Sequence, residues 1–327
     1  MADVARLAGV STATVSHVLN GTRAVRDDTR RAVLGAVREV GYLPNAAARS
    51  LATSRTATLG LALSAISNPY LGELLHAVES EAAAAGHMLL LADPHDDPAY
   101  EGTAVARLIT RVDGVLLAPS ADAAGTLAAL DGRRVPTVLV DRLLGDGHDE
   151  IGVENTAPVA GLVTHLAAAG HRRIAFVAGA SGLTTTEERL AGYRLGLRQA
   201  GLTWSSVVDG HSESEPARAA VRDLLTGPHP PSALVTGNNA MTIGAMLAAH
   251  DENLTVPGDV ALVAFDDFPW ADAFRPRLTV VAQPFAEIGR QAVRMLLARM
   301  AEPAEPPRTV RLPGRFVHRE SCGCVPG

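Results

Sequence analysis

The chain has 327 residues, 47% of them hydrophobic and 20% charged, with a net charge of −6, enough for about two or three domains and a sizeable core. All 29 basic residues are arginine, which excludes the chemistries that need a lysine: a phosphate-loop lysine, a Schiff base, a kinase-type lysine. Cys322 and Cys324, both near the C-terminus, cannot staple a fold, and no apolar run reaches membrane-spanning length. The natural setting is a reducing cytoplasm.

The negative total hides a basic end: residues 1–56 carry eight arginines against four acids. Residues 1–8 pattern as a helix with Val4, Leu7 and Ala8 on one face. Gly9 supplies the left-handed residue that ends it, and Ser11 is a good N-cap for a second helix. From Thr12 onward, Val15, Val18 and Leu19 gather on one face and Ala13, Ser16, His17 and Asn20 on the other. A helix entering the major groove needs such a small, polar face, because bulky side chains would hold it away from the base edges. Asp27 or Asp28 can cap a third helix to Val40, with Val33, Val37 and Val40 inward and Gly41 ending it. Residues 46–52 then form a helix-capable run of two turns, which is marginal in water without a partner.

From Ala57 the pattern becomes βαβ alternation. Buried strands are predicted at 59–63, 88–92, 114–118 and 137–140, with helices at 70–85, 98–110 and 122–130 between them. A second series follows, with strands at 174–177, 233–236 and 260–264 and helices at 156–169, 187–200, 217–225 and 240–250. Two successive open sheets bind ligands at the carboxyl ends of their strands. Polar residues cluster there: Ser64, Asp141-Arg142, Gly179, Asn238-Asn239 and Asp266-Asp267. Carboxylate pairs in such a cleft suit either acid–base hydrolysis or the recognition of hydroxyl groups. No Gly-x-Ser-x-Gly elbow and no Gly-x-Gly-x-x-Gly turn after a strand accompany them, so binding is favoured over catalysis. Cys322-Gly323-Cys324 with His318 offers metal ligands, but the tail is read as frayed and inert, with no metal or other cofactor assigned.

The whole chain resembles the LacI/GalR family of bacterial transcription regulators. The likeness rests on Ala8-Gly9-Val10-Ser11, Thr14-Val15-Ser16-His17-Val18-Leu19-Asn20-Gly21, Gly41-Tyr42-Leu43-Pro44-Asn45, Ala48-Arg49-Ser50-Leu51, Asn68-Pro69-Tyr70, Val112-Asp113-Gly114-Val115, Gly170-His171-Arg172-Arg173-Ile174, Arg189-Leu190-Ala191-Gly192-Tyr193, Phe265-Asp266-Asp267 and Arg319-Glu320-Ser321. It implies an α/β protein with a small all-α helix-turn-helix headpiece and a two-lobed, periplasmic-binding-protein-like core of two parallel α/β sheets. The headpiece would span 1–45, a hinge helix and linker 46–56, and an effector-binding and dimerisation core 57–327. Within that core, lobe 1 would take about 57–152 and 285–310, and lobe 2 about 153–284 and 311–327.

The resemblance further implies a homodimer on near-palindromic operator double-stranded DNA, without enzymatic activity, cofactor or membrane contact. Thr12, Ala13 and His17 would read bases, with Ser11, Thr14, Ser16 and Asn20 near phosphates; His at 17 is shared with the purine-repressor branch, where many relatives have Arg. Leu51 would wedge into the minor groove beside Arg49. Asp141, Arg189, Asn238 and Asp266 match positions that hold the polar groups of the effector, with Tyr70 and Phe285 as apolar walls. His211 stands where many relatives place a stacking aromatic, which favours a sugar-like effector over a purine. The expected role is a repressor of a carbohydrate-utilisation operon released by a small sugar; the alternative is a regulator tightened by a nucleobase or other corepressor. Met1 stands almost at the start of the first helix, so a phosphate contact and a helix cap are expected to be lost, or the true start lies upstream. The absence of C-terminal heptads argues against a tetramerisation coil.

Overall fold

The computed structural model describes residues 1–20, 23–42, 55–64, 71–145, 147–268, 271–273 and 275–324, except for the side chain of Asn20. The chain divides into two compact units, Met1–Thr56 and Ala57–Gly327.

In the first unit three helices, α1 (Ala2–Ala8), α2 (Thr12–Asn20) and α3 (Asp27–Val40), enclose a small core of Val4, Ala5, Val15, Val33 and Ala36. Gly9 ends α1 in the left-handed region at φ 65°, and the Val10 amide turns back to the Ala5 carbonyl at 3.0 Å. The Ser11 hydroxyl accepts the Thr14 amide at 3.1 Å and so caps α2 as the sequence predicts. Three details differ. Leu7 is 47% exposed and Ala5 takes its inward place; Val40 is 43% exposed, and Ala36 packs instead. Arg26 is the N-cap residue of α3, with no side-chain cap bond, so Asp27 and Asp28 lie inside the first turn. There they face the positive end of the helix dipole.

The second unit is built on two six-stranded sheets. The first has the order β11-β5-β4-β3-β1-β2 and is parallel throughout: β1 (Thr58–Ala62), β2 (Met88–Ala92), β3 (Gly114–Leu117), β4 (Thr137–Val140), β5 (Asp149–Val153) and β11 (Thr309–Leu312). The second has the order β12-β10-β9-β8-β6-β7: β6 (Ile174–Ala178), β7 (Ser206–Asp209), β8 (Ala233–Thr236), β9 (Ala261–Phe265), β10 (Thr279–Ala282) and β12 (Arg315–Val317). Only β12 runs antiparallel to its neighbour. Central strands such as β3, β4, β6, β8 and β9 are buried along their whole length, as parallel strands covered by helices on both faces must be. The edge strand β7 alternates half-buried and exposed residues.

The helices of this unit are α4 (Leu71–Ala84), α5 (Pro98–Leu108), α6 (Ala124–Gly132), α7 (Thr156–Ala168), α8 (Thr184–Gln199), α9 (Ser214–Leu225), α10 (Asn239–Asp251) and α11 (Phe285–Ala301). α7 and α8 touch backbone to backbone: a Cβ at Gly192 would lie 2.5 Å from the Thr156 carbonyl oxygen. Among the described residues, no helix is long and apolar enough to cross a membrane.

The C-terminal tail is not frayed over residues 318–324. Ser321 and Cys322 are fully buried. The Ser321 hydroxyl accepts the Thr279 amide at 2.8 Å and donates to the Leu262 carbonyl, while Arg319 makes a forked ion pair with Asp267, both contacts at 3.0 Å. Asp267 is thereby a structural residue.

Candidate functional site

In both sheets the strand order reverses beside the first strand of the series, at β1/β3 and at β6/β8, and such reversals open a crevice at the carboxyl ends. The two crevices share one cavity of about 1060 Å³. Asp141 and Arg142 follow β4, Gly179 follows β6, Gly237 and Asn238 follow β8, Asp266 follows β9 and Gln283 follows β10; all line it. Of the seven effector residues expected from the sequence, Asp141, Arg189, His211, Asn238, Asp266 and Phe285 meet on this cavity. Tyr70 lies outside the described residues.

Arg189 projects from α8 and is only 7% exposed. Its Nε donates to Asn155 Oδ1 at 2.8 Å and its Nη1 to the Gly237 carbonyl at 2.6 Å, with the guanidinium 3.9 Å from the centre of the Phe265 ring. The neighbouring Glu188 does not compete for it, because that carboxylate accepts from Asn155 Nδ2 and Arg311, each at 2.7 Å.

Asp266 is buried with φ 84° and accepts a hydrogen bond from Gln283 Nε2. Burial pushes its carboxyl above the ordinary range, and the nearby Asp141 adds to the rise; Arg189 and Gln283 pull the other way without cancelling it. Arg142 makes a forked pair with Asp96 and also donates to the Pro119 carbonyl at 3.0 Å. Burial works against its charge, but Asp96, aided by Asp141 and Glu101, outweighs this and holds the guanidinium above its ordinary value.

Asn238 lines the cavity while capping α10: its Oδ1 accepts the Met241 amide at 2.9 Å and its Nδ2 donates to the Ser212 carbonyl at 3.2 Å. The His211 side chain is 61% exposed, with its Nδ1 3.7 Å from Asp209.

Several lining residues were not singled out from sequence. Asp96, Thr185, Thr186 and Gln283 read as ordinary loop or helix residues until the sheets bring them together, and Asn155, behind the lining, holds Arg189. Among the described residues, six of the nine non-glycine residues with positive φ line this cavity: His95, Asp96, Asp141, His211, Ser212 and Asp266. Backbone strain of this kind is retained where the surrounding structure fixes side chains for a ligand. A run of Asp and His directly after a strand was the one available signal. Gln283 Oε1 and Arg142 Nε are buried without a hydrogen-bond partner among the described residues. Both belong to residues that line the cavity.

In the first unit the expected DNA-reading residues lie on α2. Ser11, Thr12 and Ala13 are exposed, and Thr14, Ser16 and His17 are half-buried. Arg49 and Leu51, with the rest of the 46–52 run, lie outside the described residues.

These two units correspond to two known families of domain. Residues 1–45 match the model of bacterial regulatory proteins of the lacI family, and residues 163–322 match a periplasmic binding protein-like domain. The chain is 36% identical to the HTH-type transcriptional repressor PurR of Proteus mirabilis (strain HI4320), over 98% of this chain and 95% of that protein. It is 35% identical to the ribose operon repressor of Escherichia coli (strain K12), over 98% and 99%. Its fold superposes on a lac repressor dimer bound to operator and the anti-inducer ONPF with a TM-score of 0.88 at 28% identity, each chain covered to 98%. The protein belongs to the lacI family of bacterial regulatory proteins: it joins that family's helix-turn-helix headpiece to a periplasmic-binding-protein-like ligand domain.

Proposed function

We propose that this regulator is a homodimeric repressor of a carbohydrate-utilisation operon, released from its operator by a small sugar-like effector rather than acting as an enzyme. The observation that carries the ligand class is the polar lining of the cavity, in which Asp141, Asp266 and Arg189 stand together. Carboxylates accept from hydroxyls, and a guanidinium donates to them in a forked geometry, so this set suits a molecule with several adjacent hydroxyl groups. Asp141, Arg189, Asn238 and Asp266 hold the polar groups of the effector, His211 lies at the rim, and Tyr70 and Phe285 form apolar walls. The names of two relatives, the ribose operon repressor and the lac repressor, are consistent with this class.

The headpiece of 1–45 reads operator bases through Thr12, Ala13 and His17, with Ser11, Thr14, Ser16 and Asn20 at the phosphates. The 46–56 segment carries the hinge, with Leu51 as the minor-groove wedge and Arg49 beside it. An effector that prefers one arrangement of the two lobes shifts the operator affinity only by its differential binding to the two arrangements.

Calorimetric titration of the full chain with a panel of aldopentoses, aldohexoses and nucleobases tests the ligand class. One molecule of a single sugar bound per chain supports it. Saturable binding of a nucleobase, with no sugar bound, contradicts it.

A further inference from the structure

The C-terminal tail carries a second constellation, remote in kind from the effector chemistry. His165 near the end of α7, His318 just after β12, and Cys322 and Cys324 in the tail bring four ligand atoms within 4.8 Å of one another. The Cys324 sulfur lies 2.9 Å from the Cys322 sulfur, 3.1 Å from His165 Nε2 and 3.3 Å from His318 Nε2. Around a tetrahedral zinc ion, with Zn–S near 2.3 Å and Zn–N near 2.0 Å, the ligand-to-ligand edges are about 3.3–3.8 Å. The spacings in the cluster, from 2.9 Å up to 4.8 Å, bracket those edges before any ion is considered.

We propose that His165, His318, Cys322 and Cys324 form a structural zinc site that staples the C-terminal tail to α7. Three features separate it from a chance meeting of side chains. The tail is held in place independently of the cluster, because Ser321 is locked between Thr279 and Leu262, and Gly323 turns at φ 78° between the two cysteines. Four potential ligand atoms gather within 4.8 Å of one another, and a single cation would engage all of them at once. The two imidazoles pack edge to face at 4.9 Å, and His165 packs in the same way on Phe316 at 5.1 Å, which fixes ring orientations that a flexible surface pair would lack. A groove of about 300 Å³ lined by Pro158, Gly161, His165 and Phe316 reaches the cluster at His165.

Two thiolates and two imidazoles in tetrahedral array select zinc over the oxygen-seeking cations magnesium and calcium. No electron transfer is involved: each thiol gives up its proton to solvent as its sulfur binds the ion.

The test uses untagged full-length protein, reduced and stripped of metal under anaerobic conditions, then titrated with cobalt(II) as a spectroscopic stand-in. One equivalent should bind per chain, with the thiolate charge-transfer band and the intense visible bands of a tetrahedral site, and zinc should displace it. Cys324→Ser and His318→Ala change partly exposed residues, so they are expected to stay folded by circular dichroism. Each should lower metal affinity at least tenfold and abolish the tetrahedral spectrum. Failure of the reduced protein to bind cobalt would overturn the proposal. So would a weak octahedral spectrum, full binding by both variants, or a Cys322–Cys324 disulfide that re-forms in air and resists reduction by glutathione.

Discussion

Replacing Arg189 with methionine removes the charge and both hydrogen bonds while keeping most of the volume. Two effects follow. The protein loses the bonds to Asn155 and to the Gly237 carbonyl. Hydrogen bonds from a charged group contribute about 1.5–3 kcal/mol each, offset in part because a cation need no longer be desolvated. A thioether also keeps favourable contact with the Phe265 ring. A net destabilisation of about 2–3 kcal/mol is expected, small enough to leave the unit folded at room temperature. The effector would lose one charge-assisted contact of similar worth, so its affinity should fall roughly 10- to 100-fold. Arg189→Lys, which keeps the charge but loses the fork, should fall between the two. Calorimetry with the identified effector measures the affinity, and circular dichroism before titration shows that the variant is folded. Wild-type affinity in a folded Arg189→Met protein would refute the assignment and move the anchor of the ligand elsewhere in the cavity.

Three further outcomes are expected. Asp266→Asn should be more stable than the wild type at neutral pH, because burial raises the native carboxyl above its unfolded value and the charged form is the costly one. That advantage should shrink as pH falls through the raised native pKa and vanish below the unfolded value, while effector affinity drops at every pH; melting curves from neutral to acid pH check the sign, and a constant difference would sink it. Gly179→Ala places a Cβ 2.6 Å from Thr186 Oγ1 and 2.7 Å from Ser212 Oγ, at the floor of the cavity. Overpacking of this kind costs about 1–3 kcal/mol, and effector affinity should drop; an unchanged calorimetric titration would show that the floor can give way. Val33→Ala removes two methyl groups from the small core of the first unit, worth about 2 kcal/mol, and should weaken operator binding while effector binding stays intact. Equal losses of both would mean that the units do not carry separate functions.

The sequence made the central strands legible because their apolar runs are unbroken, and the ends of those strands located the cavity. What it concealed had specific causes. β5 reads as Asp-Glu-Ile-Gly-Val, a polar stretch, yet it is buried: Asp149 pairs with Arg299 at 2.7 Å, and Glu150 accepts the Leu144 and Gly145 amides. These partners lie far along the chain or in a loop, so local pattern could not find them. The same holds for Asn155, whose contact with Arg189 joins the start of α7 to α8. Leu7 and Val40 were misplaced because a seven-residue helix and a final helical turn give periodicity too few positions to fix a face. Cys322-Gly323-Cys324 looked like loose tail because His165, more than 150 residues earlier, becomes its neighbour only in the folded protein.

In the proposed function one small molecule controls the binding of one DNA site. Fluorescence anisotropy of the full chain on labelled DNA from its own promoter region, at a single fixed salt concentration, tests it most directly. Specific binding that a sugar-like effector weakens at least tenfold is expected, with the same sugar having little effect on the Arg189→Met protein. Specific binding that a nucleobase tightens, and that no sugar disturbs, would contradict it.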